Sequence, residues 1–477
     1  GLREDVTCLT RFRTNDDAVA SVTEDGRVAG VGFGDTHVIA FYDNAVAALP
    51  VIVMDPQRPQ PDWPSDPPAG QIDTLVNARL KLLGLMPSPI CSDTEFLRRA
   101  SIDLTGTLPS SDEVLQFLAD PDPAGDKRVR KIDELLQRPE MAAWWATRLC
   151  DFTGCNPAQQ AELGQEFADQ WYMWIYQRLR RNQPSDQLAA DILLATSRTA
   201  GQSFADYSTV NSGYFHAASA QSFTDRGTMP HFWSRRTLEK PTDKALSVAH
   251  AFLGIRLQCA ECHKHPFDQW TRDDFQQFSR FFEPVQYGVA EDARAEYRQM
   301  AERVGMRAGN GGEGAAVNPE ALAKARAGQV IPWREVYVAP RQAPLTVPLL
   351  RSGEITILPH EDPREPIVRW IRDPQNPWFA RAFVNRVWAA CFHVGLVDPP
   401  DDLNPANPAS NPELLDWLSS EFIRRNYDIR WLLREITVSA VWQRSCLPNA
   451  SNSTDRRNFS RAIPRRLPAE VVYDGMR

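Results

Sequence analysis

The sequence predicts a multidomain protein: an N-terminal all-β region, then a mainly α region, then a second mainly α region. Three observations carry this. The first fifty or so residues alternate short apolar runs with turn dipeptides. A proline-dense stretch follows at 55–70. From Ile72 onward, apolar residues recur at helical rather than strand spacing. At 477 residues the chain is too long for one ordinary core, and about two to four domains are expected.

Within residues 1–54, Ala18 to Val22 reads as a strand and Asp25-Gly26 as a hairpin turn. Val28 and Val31 continue the β pattern, and Gly32 to Asp35 forms another turn. Val38 to Phe41 and Val46 to Val53 complete two further strands. Residues 55–70 carry prolines that block helix and remove backbone donors, so a stiff linker is expected.

Residues 71–284 read as mainly α. Phe167, Trp171, Trp174, Ile175 and Leu179 mark one helix face, broken at Pro184. Lys244 to Leu257 reads as a helix running into Cys259. Asp273 to Phe282 reads as another, with Phe275, Phe278, Phe281 and Phe282 as its apolar face. Residues 285–362 are expected to be an irregular or extended connecting region. It contains a glycine-rich break at 309–314, with strands within Val330–Val338 and Leu345–Ile357.

The region 363–477 is again mainly α. Phe379, Phe383, Val384, Val387 and Cys391 form an apolar stripe. Asn411-Pro412-Glu413 is a helix start, and Asp428 caps a further helix through Ile429, Leu432, Leu433 and Ile436. The chain opens on Gly1 and stops in helical text at Arg477. Both ends are therefore expected to fall inside domains, with a leader outside this chain.

Hydrophobic content of 43% and charged content of 24% are those of a globular protein. The net charge of −8 gives no support for nucleic-acid binding. No apolar run reaches the roughly 20 residues of a membrane span.

The chemistry concentrates in Cys259-Ala-Glu-Cys262-His263. C-x-x-C-H is the attachment pattern of c-type haem. Thiols at i and i+3 fall on one side of a helical turn, where each can add to a haem vinyl group. The next residue, His263, then supplies the proximal iron ligand. One covalent haem c is the expected cofactor. A zinc site is the first rival, with Cys259, Cys262, His263 and His265 as donors, but no second remote Cys/His pair closes a tetrahedron. A thioredoxin-like redox pair is the second rival, and it needs a strand feeding a helix.

The distal ligand is open. Met229 and His231 lead, because Pro230 between them can hold a ligand loop rigid. His216, His250, Met173, Met300 and Met306 are further candidates. His265 lies too close to His263 to reach the opposite haem face, so a propionate contact, a backbone hydrogen bond or simple exposure is expected. Asp268 either pairs with it or caps the next helix. Asp398, Asp401 and Asp402 read as charges on a proline-rich loop. Arg381, Asn385 and Arg386 form a polar stripe for surface salt bridges or an anion. Of the other six cysteines, Cys150 and Cys155 are the nearest pair.

Two resemblances sharpen this. Ser21 to Gly30 with Gly34 resembles a group 2 bacterial Ig-like domain, of which only the later strands are here. Phe252 to Trp270, with Ile72-Asp73, Phe96 to Arg99 and Leu104 to Pro109, resembles the cytochrome-c-like domain of unknown function abundant in planctomycetes. Glu261 and Lys264 depart from its usual core, altering charge beside the haem but not the attaching residues. Asn376 to Trp388 and Pro412 to Leu418 resemble its C-terminal companion domain, although Cys391-Phe392-His393 replaces an expected small, Gly-containing stretch.

The resemblance implies export, to the periplasm or cell surface, and no particular reaction. Electron transfer is the leading expectation, with a redox protein or small-molecule donor or acceptor as partner. A haem-dependent oxidative enzyme using peroxide or oxygen, with glycans as a substrate class, is the second. A binding or scaffold protein with structural haem or zinc is the third, and the Ig-like strands offer a glycan or surface contact.

Overall fold

The structure is a computed structural model describing residues 4–55, 63, 70–218, 221–307 and 314–476. The expected linker at 55–70 and the break at 309–314 lie largely outside the described residues. Strands at the N-terminus precede a mainly helical remainder.

The chain folds into two compact units that are not contiguous in sequence. Unit 1 comprises Gly1–Trp144, Leu253–Arg272 and Pro377–Arg477, and unit 2 comprises Trp145–Phe252 and Asp273–Asn376. The expected boundaries at 71, 285 and 363 therefore do not coincide with those of the packed bodies.

In unit 1, β1 (Arg11–Thr14), β4 (Gly34–Tyr42) and β5 (Ala45–Val53) form an antiparallel sheet in the order β1-β4-β5. β2 (Ala20–Val22) and β3 (Val28–Gly30) form the expected hairpin, with Gly26 at φ +78° in its turn. The sheet is too small to enclose a core of its own. Ile39 and Phe41 of β4 instead bury against Ala406, and Asp35 pairs with Arg79 at 2.8 Å. The β region is thus part of unit 1 rather than a separate module. Its central strand is buried on both faces, from Asp35 through Ile39.

In unit 1 the first helix of the chain packs against helix Ala440–Gln443, far along the sequence. Asp73, in helix Gln71–Leu83, accepts the backbone N–H groups of Ala440 (3.2 Å) and Val441 (2.9 Å). Arg128 ties Asp93 and the Cys91 carbonyl to Gln443. The expected caps are present. Asn411 accepts from Leu414 N–H at 3.1 Å, and Asp428 accepts from Arg430 and Trp431. Helix Phe379–Phe392 buries Phe379, Val384, Val387 and Cys391.

In unit 2, helix Gly164–Arg180 buries the five residues read as its apolar face, and a new helix, Ser185–Leu193, follows Pro184. The segment read as an irregular connection has a core role instead. β6 (Val285–Gly288) pairs antiparallel with β7 (Glu335–Val338), and β8 (Leu345–Pro348) with β9 (Glu354–Ile357). Helices Arg294–Arg303 and Pro319–Arg326 close a cluster around Tyr297, Phe204 and Trp333. The glycine-rich text hid this, because two short helices of modest apolar content flank it.

Candidate functional site

The Cys motif is the tip of a segment that leaves unit 2 and packs into unit 1. Helix Pro241–Val248 passes into a π-helical stretch, Ala249–Leu253, and stops there. The expected helix through Leu257 is absent, because Gly254 adopts φ +64°, a conformation that ends a helix. A side chain at this position would meet the Ala382 Cβ at 2.8 Å, while the Gly254 carbonyl accepts from Leu403 N–H at 2.8 Å. Glycine is required both for the turn and for the close approach.

The motif then forms a short 3-10 turn, Gln258–Glu261. Cys259 lies within this turn and Cys262 is its C-cap, three residues on, the spacing at which side chains eclipse in a regular 3-10 turn. His263 N–H reaches back to the Cys259 carbonyl at 3.4 Å. Both thiols are free and exposed. The His263 ring is exposed, and its Nδ1 donates to the Lys264 carbonyl at 2.6 Å. A carbonyl only accepts, so the proton sits on Nδ1 and the lone pair on Nε2. A backbone carbonyl at one ring nitrogen is the usual way a ligating imidazole is oriented.

The loop after the motif is anchored from the β region. Arg11 donates to the Pro266 carbonyl at 3.0 Å, the Arg13 guanidinium lies 4.9 Å from the Phe267 ring centroid, and Lys264 approaches Asp43 at 3.5 Å. His265 is buried, and its Nδ1 accepts from Phe267 N–H at 3.3 Å, the backbone bond among the three roles expected. Burial lowers its pKa, with Asp402 opposing. Asp268 accepts from Gln269 N–H at 2.7 Å.

Cys259 borders a cavity of about 690 Å³ lined wholly by unit 1. That volume is in the range of cofactor and small-ligand sites. Four arginines line it (Arg13, Arg256, Arg456 and Arg457) together with the carboxylates Asp398 and Asp402. Arg256 is held by Asp401 at 2.7 Å, so the acidic loop pins the wall. Buried Asn385 fixes the same loop through Val397. Of the other stripe residues, Arg381 pairs with Asp416 on the surface, whereas burial pushes the Arg386 pKa down to about 10.

Of the motif residues, the cavity lining includes Cys259 but neither Cys262 nor His263. Among the described residues, no three His, Cys, Asp or Glu side chains converge to hold a metal ion.

The two leading distal candidates are corrected by their packing. His231 is 6% exposed, its ring is stacked between Phe167 (4.1 Å) and Phe223 (4.6 Å), and its Nε2 lies 2.8 Å from Gln170 Oε1. Both faces and one nitrogen are committed, and burial drives its pKa well below the usual imidazole value. Met229 is fully buried in unit 2, its N–H bonded to the Asp191 carbonyl. Pro230 does stiffen the segment, but as a core turn. His216, His250, Met173, Met300 and Met306 also belong to unit 2. Met300 and Met306 pack against the Tyr297 cluster, and Met173 is exposed.

One cavity residue escaped the sequence reading. His37, on β4, is 6% exposed and lines the cavity with Cys259. The only signal was a histidine inside an apolar strand, 222 residues before Cys259.

Residues 71–287 match the family described as PSCyt2, a protein of unknown function (DUF1549). Residues 363–477 match PSD1, a protein of unknown function (DUF1553). No curated protein and no solved structure matches the chain. The matches follow the contiguous segments expected from sequence, whereas the compact units cut across the first of them.

Proposed function

We propose that the chain is a c-type haem protein whose primary role is electron transfer outside the cytoplasm, where thioether attachment takes place. The observation that carries the reading is the turn at 258–263. It carries two exposed thiols three residues apart, followed by His263, whose Nδ1 bonds the Lys264 carbonyl.

Cys259 and Cys262 would each add across a vinyl double bond, sulfur bonding to one carbon and the thiol hydrogen passing to the other. His263 would present Nε2 as the proximal ligand, its ring held by the Lys264 carbonyl. Arg13, Arg456 and Arg457 would offset the charge of carboxylate substituents. Bound haem supplies a one-electron couple at iron and, if its sixth position is open, peroxide or oxygen chemistry.

The N-terminal strands, with their resemblance to an Ig-like module, serve in this reading as a wall of the site and not as a free adhesion arm. A second reading, an oxidative enzyme, is favoured by the size of the cavity beside Cys259. Absorption spectra separate the two. A low-spin, six-coordinate haem indifferent to cyanide and peroxide supports the carrier, and rapid binding of either supports the enzyme.

No helix among the described residues is long and apolar enough to cross a membrane. The partner in this reading is a redox protein or a small-molecule electron donor or acceptor.

A further inference from the structure

We propose that Cys150 and Cys155 are a redox-active dithiol that closes to a disulfide when a disulfide-bearing oxidant reaches it, fastening the C-terminal end of helix Pro139–Thr153. The site is separate from the Cys259 motif. It draws on the reading above only for the oxidising setting outside the cytoplasm.

The backbone brings the two residues together. Cys155 N–H donates to the Cys150 carbonyl at 2.9 Å, and Gly154 N–H donates to the Asp151 carbonyl at 3.2 Å. These are the two bonds of a Schellman motif, whose outer residues often bring their side chains into contact. Gly154 supplies the left-handed residue that the motif needs, at φ +76°, and a Cβ there would collide with Arg235. The Cys150 and Cys155 thiols accordingly share a hydrogen bond. Two cysteines in side-chain contact can be bridged with little backbone movement. No other cysteine belongs to unit 2, so neither thiol has a competing partner there.

Their surroundings differ as those of an attacking and a resolving thiol should. Cys155 is partly exposed, whereas Cys150 is buried. Buried Arg235 donates to the Gly154 carbonyl at 3.3 Å, and its guanidinium interacts electrostatically with Cys155. A cation there offsets the negative charge that sulfur carries as it attacks. The Cys150 proton is held more firmly, because its hydrogen bond with Cys155, and then burial, raise its pKa.

Oxidation runs by thiol–disulfide exchange. Cys155 loses its proton to solvent and attacks one sulfur of the oxidant, whose other sulfur leaves as a thiolate. Cys150 then loses its proton and attacks the Cys155 sulfur, and the second oxidant sulfur leaves. Two electrons pass to the oxidant, and the two protons released neutralise its two thiolates.

The test uses the purified full chain, equilibrated in its native state with oxidised and reduced glutathione at set ratios. It is then quenched in acid, denatured and alkylated without reductant. Arg148 and Arg178 bracket both cysteines with no Lys or Arg between, so one tryptic peptide carries the pair. In oxidised protein this peptide should carry no alkyl group and be lighter by two hydrogens. Its halves should stay joined after cleavage at Phe152, and reductant should restore two alkylation sites.

Cys150→Ser removes the resolving thiol, so glutathione should remain on Cys155. A variant that folds and takes up none overturns Cys155 as the attacking residue. Two alkylated cysteines in wild-type protein at the most oxidising ratio overturn the inference, and so does glutathione retained on wild-type Cys155. Both wild-type readings hold even if the variant fails to fold. Neither reports on Cys259 or Cys262, so a chain without haem whose 149–178 peptide is cross-linked overturns the haem reading and supports this one.

Discussion

Asn385 and Val397 exchange a pair of hydrogen bonds: the side-chain Nδ2 donates to the Val397 carbonyl at 2.8 Å, and Val397 N–H donates back to Oδ1 at 3.0 Å. Asn385 is fully buried, so both bonds are shielded from water. They hold the start of the loop that carries Asp398, Asp401 and Asp402 along the cavity. Asn385→Ala leaves a buried donor and acceptor without partners, at a cost of about 3 kcal/mol. Chemical denaturation should show a lower midpoint with an unchanged slope. A variant as stable as wild type would contradict this role.

Gly254→Ala tests why the helix stops before the motif. A left-handed conformation at a non-glycine residue costs about 1–2 kcal/mol, and the new Cβ would also press on Ala382. The expected loss is about 2 kcal/mol or more, read from thermal or denaturant unfolding. A neutral outcome would mean the chain turns elsewhere.

Acid should destabilise unit 2 through His231. Its folded pKa lies well below the ordinary imidazole value, because burial disfavours the charged ring. The unfolded chain therefore binds the extra proton first. Stability is fully present above about pH 6.5 and falls as pH drops towards the folded value, by at most about 1.4 kcal/mol per pH unit. His231→Phe keeps the stack with Phe167 and Phe223, so its unfolding midpoint should vary less between pH 7 and pH 5. Equal pH dependence in both proteins would remove His231 as the cause.

Thiol reactivity should divide the cysteines by environment. Cys259 and Cys262 are exposed, whereas the hydrogen bond with Cys155 and burial raise the Cys150 pKa, and burial raises that of Cys91. In protein made without haem, brief alkylation near pH 8 followed by peptide mass spectrometry should label Cys259 and Cys262. Cys150 and Cys91 should stay unlabelled until the chain is denatured. Early labelling of Cys150 would contradict its buried position.

Local patterning was legible in the sequence wherever it arises from neighbours in the chain. The Asp25-Gly26 hairpin, the Asn411 and Asp428 caps and the aromatic face of helix Gly164–Arg180 all follow from near spacing. What escaped was set by distant contacts. Ile39 and Phe41 find their cover on Ala406, far along the chain, so the β region could not be seen to join the site. The motif was legible as chemistry, but its far wall was not. Proximity in sequence and a rigid proline pointed to Met229 and His231. Stacking between Phe167 and Phe223 commits His231 to the core, a contact that no local pattern encodes.

The most direct test of the central claim is covalent haem on exported protein. Wild-type chain and the double variant Cys259→Ala with Cys262→Ala are exported with c-type maturation, denatured, and analysed by haem stain, intact mass and metal content. The account predicts one haem and one iron per wild-type chain, surviving denaturation, and none in the double variant. Stoichiometric zinc without iron in the wild type, or haem that remains attached when both thiols are gone, would contradict it.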